Sequence, residues 1–219
     1  MKKIILSISL LLLTIVAYSQ GNKPVKLDSL VSISMPAGYQ VKDTMGERIF
    51  SANGAYGYMI AIREANAKNN TPLKKESDLN KVLKTYIQGI KKQSDANAAL
   101  NVRDTLIGNR LKAKTFTLEN GDGAGDITYR NFVLLYTQDV TYTFEFVYPD
   151  NRADMVKAEY KSFISSITLS PELQRNDQYI STATGMSTVT KIEIFGGAGL
   201  VLIFIVVMVV RKKKQPALS

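Results

Sequence analysis

The 219-residue chain contains no histidine, no cysteine and no tryptophan. Without His or Cys there can be no Ser-His or Cys-His nucleophile, no imidazole or thiolate zinc site, no cysteine-held haem or iron–sulfur cluster and no disulfide. A Walker A loop, a Gly-x-Ser-x-Gly elbow and a Ser-x-x-Lys motif are also missing. Thr71-Pro72-Leu73-Lys74 has a Thr-x-x-Lys spacing, but its proline breaks the segment. A hydrolase would be left with lysine or paired carboxylates as its base. The expectation is a protein that is not an enzyme and holds no cofactor. Basic residues number 28 against 19 acidic ones, a net charge of +9. Two of those positive charges lie in the first three residues and four directly after Val210. Residues 21–191 keep 22 basic and 18 acidic side chains, too mild an excess to argue for nucleic acid.

Two hydrophobic runs are present, one at each end. Met1-Lys2-Lys3 precedes an apolar stretch from Ile4 to Val16, and Ala17-Tyr18-Ser19 places small residues where a signal peptidase reads. The stretch is short of the ~20 residues a span requires, so a signal peptide over 1–19, cleaved before Gln20, is expected. Ile194 to Val210 runs 17 residues without a charge, and with Ile192-Glu193 it reaches about 26–29 Å as a helix, close to the ~30 Å hydrocarbon core. Arg211-Lys212-Lys213-Lys214 follows at once and marks the cytoplasmic side. The organisation expected is a signal peptide at 1–19, an extracytoplasmic domain at 20–169, a polar linker at 170–191, a transmembrane helix at 192–210 and a basic cytoplasmic tail at 211–219. This is a single-pass protein of the cytoplasmic (inner) membrane with its domain on the periplasmic side.

Within the domain, Val31, Ile33 and Met35 alternate with serines and read as a half-buried strand stopped by Pro36-Ala37-Gly38. Glu47 to Ala52 and Tyr56 to Glu64 flank Asn53-Gly54 and predict a hairpin, the glycine supplying positive φ. Leu79, Val82, Leu83, Tyr86, Ile87 and Ile90 define one face of a helix, with Ser77 its expected N-cap. Strands are predicted over Val102–Ile107, Leu111–Glu119, Ile127–Thr137 and Val140–Tyr148. In the last, Val140, Tyr142, Phe144, Phe146 and Tyr148 share a face opposite Thr141, Thr143 and Glu145. Val156, Tyr160, Phe163, Ile164 and Ile167 recur at helical spacing, and Ser170 to Thr190 reads as a tether.

This order of elements, closing on Tyr160-Lys161-Ser162-Phe163-Ile164-Ser165-Ser166-Ile167, resembles the PsbP/Mog-like superfamily, including its DcrB-type envelope members, over about residues 26–169. The resemblance implies an α+β fold, an antiparallel sheet flanked by helices in an αβα sandwich. It also implies a role in binding proteins or assisting assemblies; no partner-binding residues carry over.

Three local features merit weighing. Asn120-Gly121-Asp122-Gly123-Ala124-Gly125-Asp126 could wrap a hard cation through Asp122 and Asp126. It departs from the calcium-loop pattern at Ala124 and Asn131, and a solvated hairpin loop is the preferred reading. Lys81, Lys84, Lys91 and Lys92 lie opposite the apolar face of the first helix and form a candidate interaction surface, although such a face is more often simply solvated. The tyrosines and phenylalanines of the strands suit a core better than a ligand pocket. Asn69-Asn70-Thr71 is a formal glycosylation sequon. The functional expectation is a membrane-tethered interaction or assembly module. Its partners would be the bilayer and another envelope protein, with no nucleic acid. The alternative is a carrier or sensor that holds a small apolar ligand between sheet and helices.

Overall fold

The computed structural model describes residues 22–67, 71–94, 96, 98–121 and 126–181. The expected signal peptide, the span at 192–210, the basic tail, the linker from 182 onward, Asp122 and the Asn69-Asn70 part of the sequon lie outside the described residues. Among the described residues no helix is long and apolar enough to cross a membrane.

Alternation at period two is plain in the second, fourth and fifth of ten strands and absent from the third. The strands are β1 (Lys23–Lys26), β2 (Val31–Met35), β3 (Gln40–Thr44), β4 (Glu47–Asn53), β5 (Tyr58–Ala65), β6 (Ala99–Ile107), β7 (Leu111–Gly121), β8 (Ile127–Tyr136), β9 (Val140–Pro149) and β10 (Thr168–Leu169). Helix α1 spans Glu76–Gln93 and α2 spans Val156–Ser165. Seven strands form one antiparallel sheet in the order β3-β4-β5-β9-β8-β7-β6, and β1, β2 and β10 form a small second sheet. On one face of the large sheet, Tyr142, Phe144 and Phe146 of β9 pack with Val133 and Leu135 of β8, with α2 and with β2. On the other face, Leu79, Leu83 and Ile87 of α1 cover Phe116, Leu118, Phe132, Leu134 and Tyr136. A helix therefore lies on each face, as the αβα expectation requires, and the small sheet completes the layer that holds α2.

Turn chemistry departs from expectation in an instructive way. The two-residue hairpin turn falls at Met45-Gly46, between β3 and β4, where φ is +48° and +88°. Such a turn needs positive φ at both central residues, and Gly46 takes the second without strain. The three-residue loop Gly108-Asn109-Arg110 joins β6 to β7, with positive φ at Gly108 (+56°) and Asn109 (+55°) and the Arg110 N–H donating to Ile107 O at 3.1 Å. Asn53-Gly54, expected to be the tight turn, instead opens a four-residue loop over 54–57. There the Glu159 carboxylate accepts the N–H groups of Ala55 (2.6 Å) and Tyr56 (2.9 Å). Gly57 is required by close approach, because a Cβ there would collide with the ring of Phe146. Helix α1 is capped at Lys75, not Ser77: the Lys75 N–H donates to the Asp78 carboxylate at 3.1 Å.

Asp28 fastens the small sheet to the large one. Its carboxylate accepts hydrogen bonds from Tyr142 Oη (2.6 Å), Arg63 Nε (3.0 Å) and the Leu30 and Val31 N–H groups. Burial pushes this carboxyl up, but those donors outweigh it and hold Asp28 below the usual aspartate value.

The polar stretch after Ser170, expected to start the linker, is folded as far as Ile180. Leu173, Gln178 and Tyr179 are buried. Gln178 accepts from Lys112 N–H at 2.8 Å and donates to the Lys112 and Tyr136 carbonyls at 2.7 and 2.8 Å, and Ile180 N–H donates to Leu73 O at 2.9 Å. Sequence periodicity misses this segment because its anchors are polar side chains and not an apolar repeat.

Two stability outcomes are expected from denaturant titration. Phe144→Ala, at a position with no exposed surface, costs ~3–5 kcal/mol, whereas Thr143→Ala on the half-covered opposite face costs less than about 1 kcal/mol. Gln178→Ala strands three backbone groups and costs ~2–3 kcal/mol; a neutral result would return residues 170–180 to the linker.

Candidate functional site

The two covered faces are not equally covered. Helix α1 sits over β7 and β8, leaving the β4–β5–β9 side of its own face as an open groove of about 540 Å³. The pleat decides what points into it. On β9 these are Thr143 and Glu145, in register with Ile62 of β5 and Phe132 of β8 respectively, while Glu64 of β5 and Glu47 of β4 line the groove further along, level with Thr141. Thr85, Tyr86, Gly89 and Ile90 of α1 form the second wall.

Glu145 is the unusual member. It is only 3% exposed in the middle strand of the sheet, and its carboxylate accepts from Arg130 Nε on β8 at 2.5 Å. A buried charge requires such an answer, since desolvation costs several kcal/mol. Arg130 also donates to Ser94 Oγ at 2.6 Å and lies over the Phe132 ring at 5.2 Å, tying the C-terminal end of α1 to the sheet. Thr141, Asn66 and Tyr86 close the other end of the groove. Thr141 Oγ1 donates to Asn66 Oδ1 at 2.7 Å, and the Asn66 amide donates to the Thr137 and Gln138 carbonyls.

Glu64 stands directly across from Glu47 in the β4–β5 register. Burial, and then the neighbouring Glu47 charge, raise its carboxyl above the usual value. Burial likewise raises the Tyr86 hydroxyl, and the charge of Glu64 adds to that shift. The groove therefore carries negative potential that Arg130 answers only at Glu145, and a cation entering it would relieve the repulsion between Glu47 and Glu64.

The candidates read from sequence lie elsewhere. Lys84 and Lys91 line a second groove of about 440 Å³ on the opposite flank of α1, against β6 and β7, together with Ile87, Ala99, Val102 and Lys114. Lys81 and Lys92 are exposed. The structure thus divides the lysine face into two that rim a groove and two that do not. Asp126 is exposed at the start of β8, and among the described residues no group of Asp and Glu could hold a metal ion. Tyr142, Phe144 and Phe146 are core. Glu47, Glu64, Arg130 and Glu145 were not singled out from sequence. The available signal was a glutamate at the centre of the most apolar strand, with an arginine in the strand before it.

No family model matches the chain, and no curated protein matches it. Solved structures similar to it include the solution structure of cyanobacterial PsbP (CyanoP) from Synechocystis sp. PCC 6803. That protein is 15% identical, with 69% of this chain and 94% of that chain covered and a TM-score of 0.49. A crystal structure from Bacteroides thetaiotaomicron VPI-5482 is 14% identical, with 70% of this chain covered and a TM-score of 0.41; the match spans half the length of that protein. A PsbP protein thus stands among the similar structures. At TM-scores below 0.5 neither structure bears on the grooves.

The charge arrangement yields a pH prediction. Because the folded state raises the Glu64 value, it binds that proton more tightly than the unfolded chain does. The ionised group therefore weakens the fold at neutral pH, and the penalty fades as pH falls through the raised value. Glu64→Gln should raise the melting temperature at pH 7 and give no gain below the ordinary carboxylate range. An equal shift at both pH values would mean that the effect is not electrostatic.

Proposed function

We propose that this chain is a non-catalytic interaction module, secreted through a signal peptide and held at the outer face of the cytoplasmic membrane by the apolar segment at 192–210. Its domain engages another envelope protein, and the carboxylate groove beside α1 receives a basic side chain of that partner. The observation that carries the reading is the convergence of Glu47, Glu64 and Glu145 on one half-open groove whose single described arginine is already committed to Glu145. A protruding lysine or arginine is the complement of such a groove, and charge complementarity of this kind sets specificity and association rate. The sequence adds the topology: small residues before Gln20 and a basic cluster directly after the apolar run.

Two measurements test it. Protease added outside intact spheroplasts should digest the domain while a tag after Ser219 stays protected; a tag cut from outside would reverse the topology. Cross-linking in detergent-solubilised membranes should recover one defined species. Glu47→Lys with Glu64→Lys should reduce that recovery at least tenfold while the melting temperature is held. Undiminished recovery would remove the groove from the interaction.

A further inference from the structure

The second groove has a chemistry opposite to the first. Its floor is Ile87, Ala99 and Val102, and its rim carries Lys84, Lys91 and Lys114. Lys114 pairs with Asp104, whereas Lys84 and Lys91 have no ion pair among the described residues. The adjoining strand β6 is the last of the sheet, and on its α1 face Val102 (47%) and Leu106 (52%), the latter in register with Lys112, are open to solvent. Apolar side chains standing among lysines, whose own stems can lie along apolar surface with their heads outward, are the composition of a surface that settles at a headgroup boundary.

The backbone weighs against a β-strand as the occupant. The register shifts between Leu100 and Arg103, where Asn101 adopts φ of +54°. A bulge of this kind breaks the row of outward N–H and C=O groups and is a common way of blocking edge pairing.

The chain's exit brings one side of the sheet nearest to the tether. Ile180 is hydrogen-bonded to Leu73 just before α1, and Tyr179 is buried with the α1 core, so the chain leaves the fold on the α1 side of the sheet. Only residues 181–191 separate this point from the apolar segment. Eleven residues extend to at most ~36–40 Å. A lipid surface would thus be available to the α1 side at high effective concentration, while the attraction of its charge acts within a screening length of ~8–10 Å.

We infer that the lysine-rimmed face formed by α1 and β6 docks on the anionic phospholipid surface of the membrane that holds the chain, with Val102 and Leu106 entering the headgroup layer and Lys84 and Lys91 binding lipid phosphates. The inference rests on the membrane tether proposed above and leaves the acidic groove on the other flank of α1 for the protein partner.

The absence of cysteine makes a direct test clean. The full chain carrying Val102→Cys, or Val41→Cys on the far edge strand β3 as control, is labelled with an environment-sensitive fluorophore. It is then reconstituted into phosphatidylcholine vesicles with or without phosphatidylglycerol. The expected result is a blue shift at position 102 and none at 41, seen only with phosphatidylglycerol. The shift should be lost in about 1 M salt, where the screening length is about 3 Å, and lost with Lys84→Glu plus Lys91→Glu. The salt arm uses the unaltered lysines and stands even if the charge-reversed variant folds poorly. Identical spectra at position 102 in both vesicle types, with the chain co-floating with the vesicles, would overturn the inference and leave the tether standing. Failure of the chain to co-float with either vesicle would overturn both. A shift that requires added envelope protein instead of phosphatidylglycerol would give the face to an acidic protein and overturn the lipid assignment.

Discussion

Three aromatic rings and a carboxylate share the middle strand of a seven-stranded sheet, and their burial on opposite faces governs the rest of the domain. Tyr142, Phe144 and Phe146 have no exposed surface on one side of β9, while Glu145 is nearly as buried on the other. The aromatic side needs a thick cover, which α2 and the small sheet supply; Phe146 meets Phe163 and Tyr160 with ring centroids about 6 Å apart. On the Glu145 side the cover must include donors, because a buried carboxylate tolerates apolar neighbours poorly. Arg130 meets that need from the next strand, and Ser94 holds Arg130 from the end of α1. The helix therefore covers β7 and β8 and stops short of β5, and the uncovered strip is the groove. Cover and vacancy have one cause.

The same placement polarises the domain. Carboxylates gather on one flank of α1, and on the other the lysines rim an apolar floor against the last strand. Two surfaces of opposite charge separated by one helix can engage two different partners without competing, provided each is specified by potential and not by area. A modest net charge over the folded residues conceals this arrangement, since the two flanks nearly cancel.

How much of this was legible in the sequence follows from what each signal measures. Period-two alternation located β2 and the aromatic face of β9, and period 3.6 located both helices, because each reports burial along a single element. It could not report that Thr141 and Glu145 face a second layer, since a polar face reads the same whether water or a helix covers it. The edge strand β3 escaped for a related reason: Gln40, Val41, Lys42 and Asp43 are all exposed, so no alternation exists to be read. Asn53-Gly54 misled because a dipeptide suited to a tight turn was held open by Glu159, a residue more than a hundred positions away. Of the candidate site, the lysines were visible as a helix face, but their division between groove and solvent depended on where β6 lies. The carboxylate groove depends on sheet register and on where α1 lies, neither of which is a pattern within one element.

The fold's last anchored turn joins these local facts to the placement of the whole domain. Gln178 occupies backbone groups of both β7 and β8 with one side chain, and Tyr179 fills the α1 core beside it. An amide with every hydrogen bond made in a dry site fixes direction as well as position, because losing any one bond strands a buried backbone group. The described fold thus ends on the α1 side, beyond Ile180, and not at Leu169 beside the small sheet. Polar side chains, with no apolar repeat among them, thus decide that this stretch belongs to the fold and on which side of the sheet it ends.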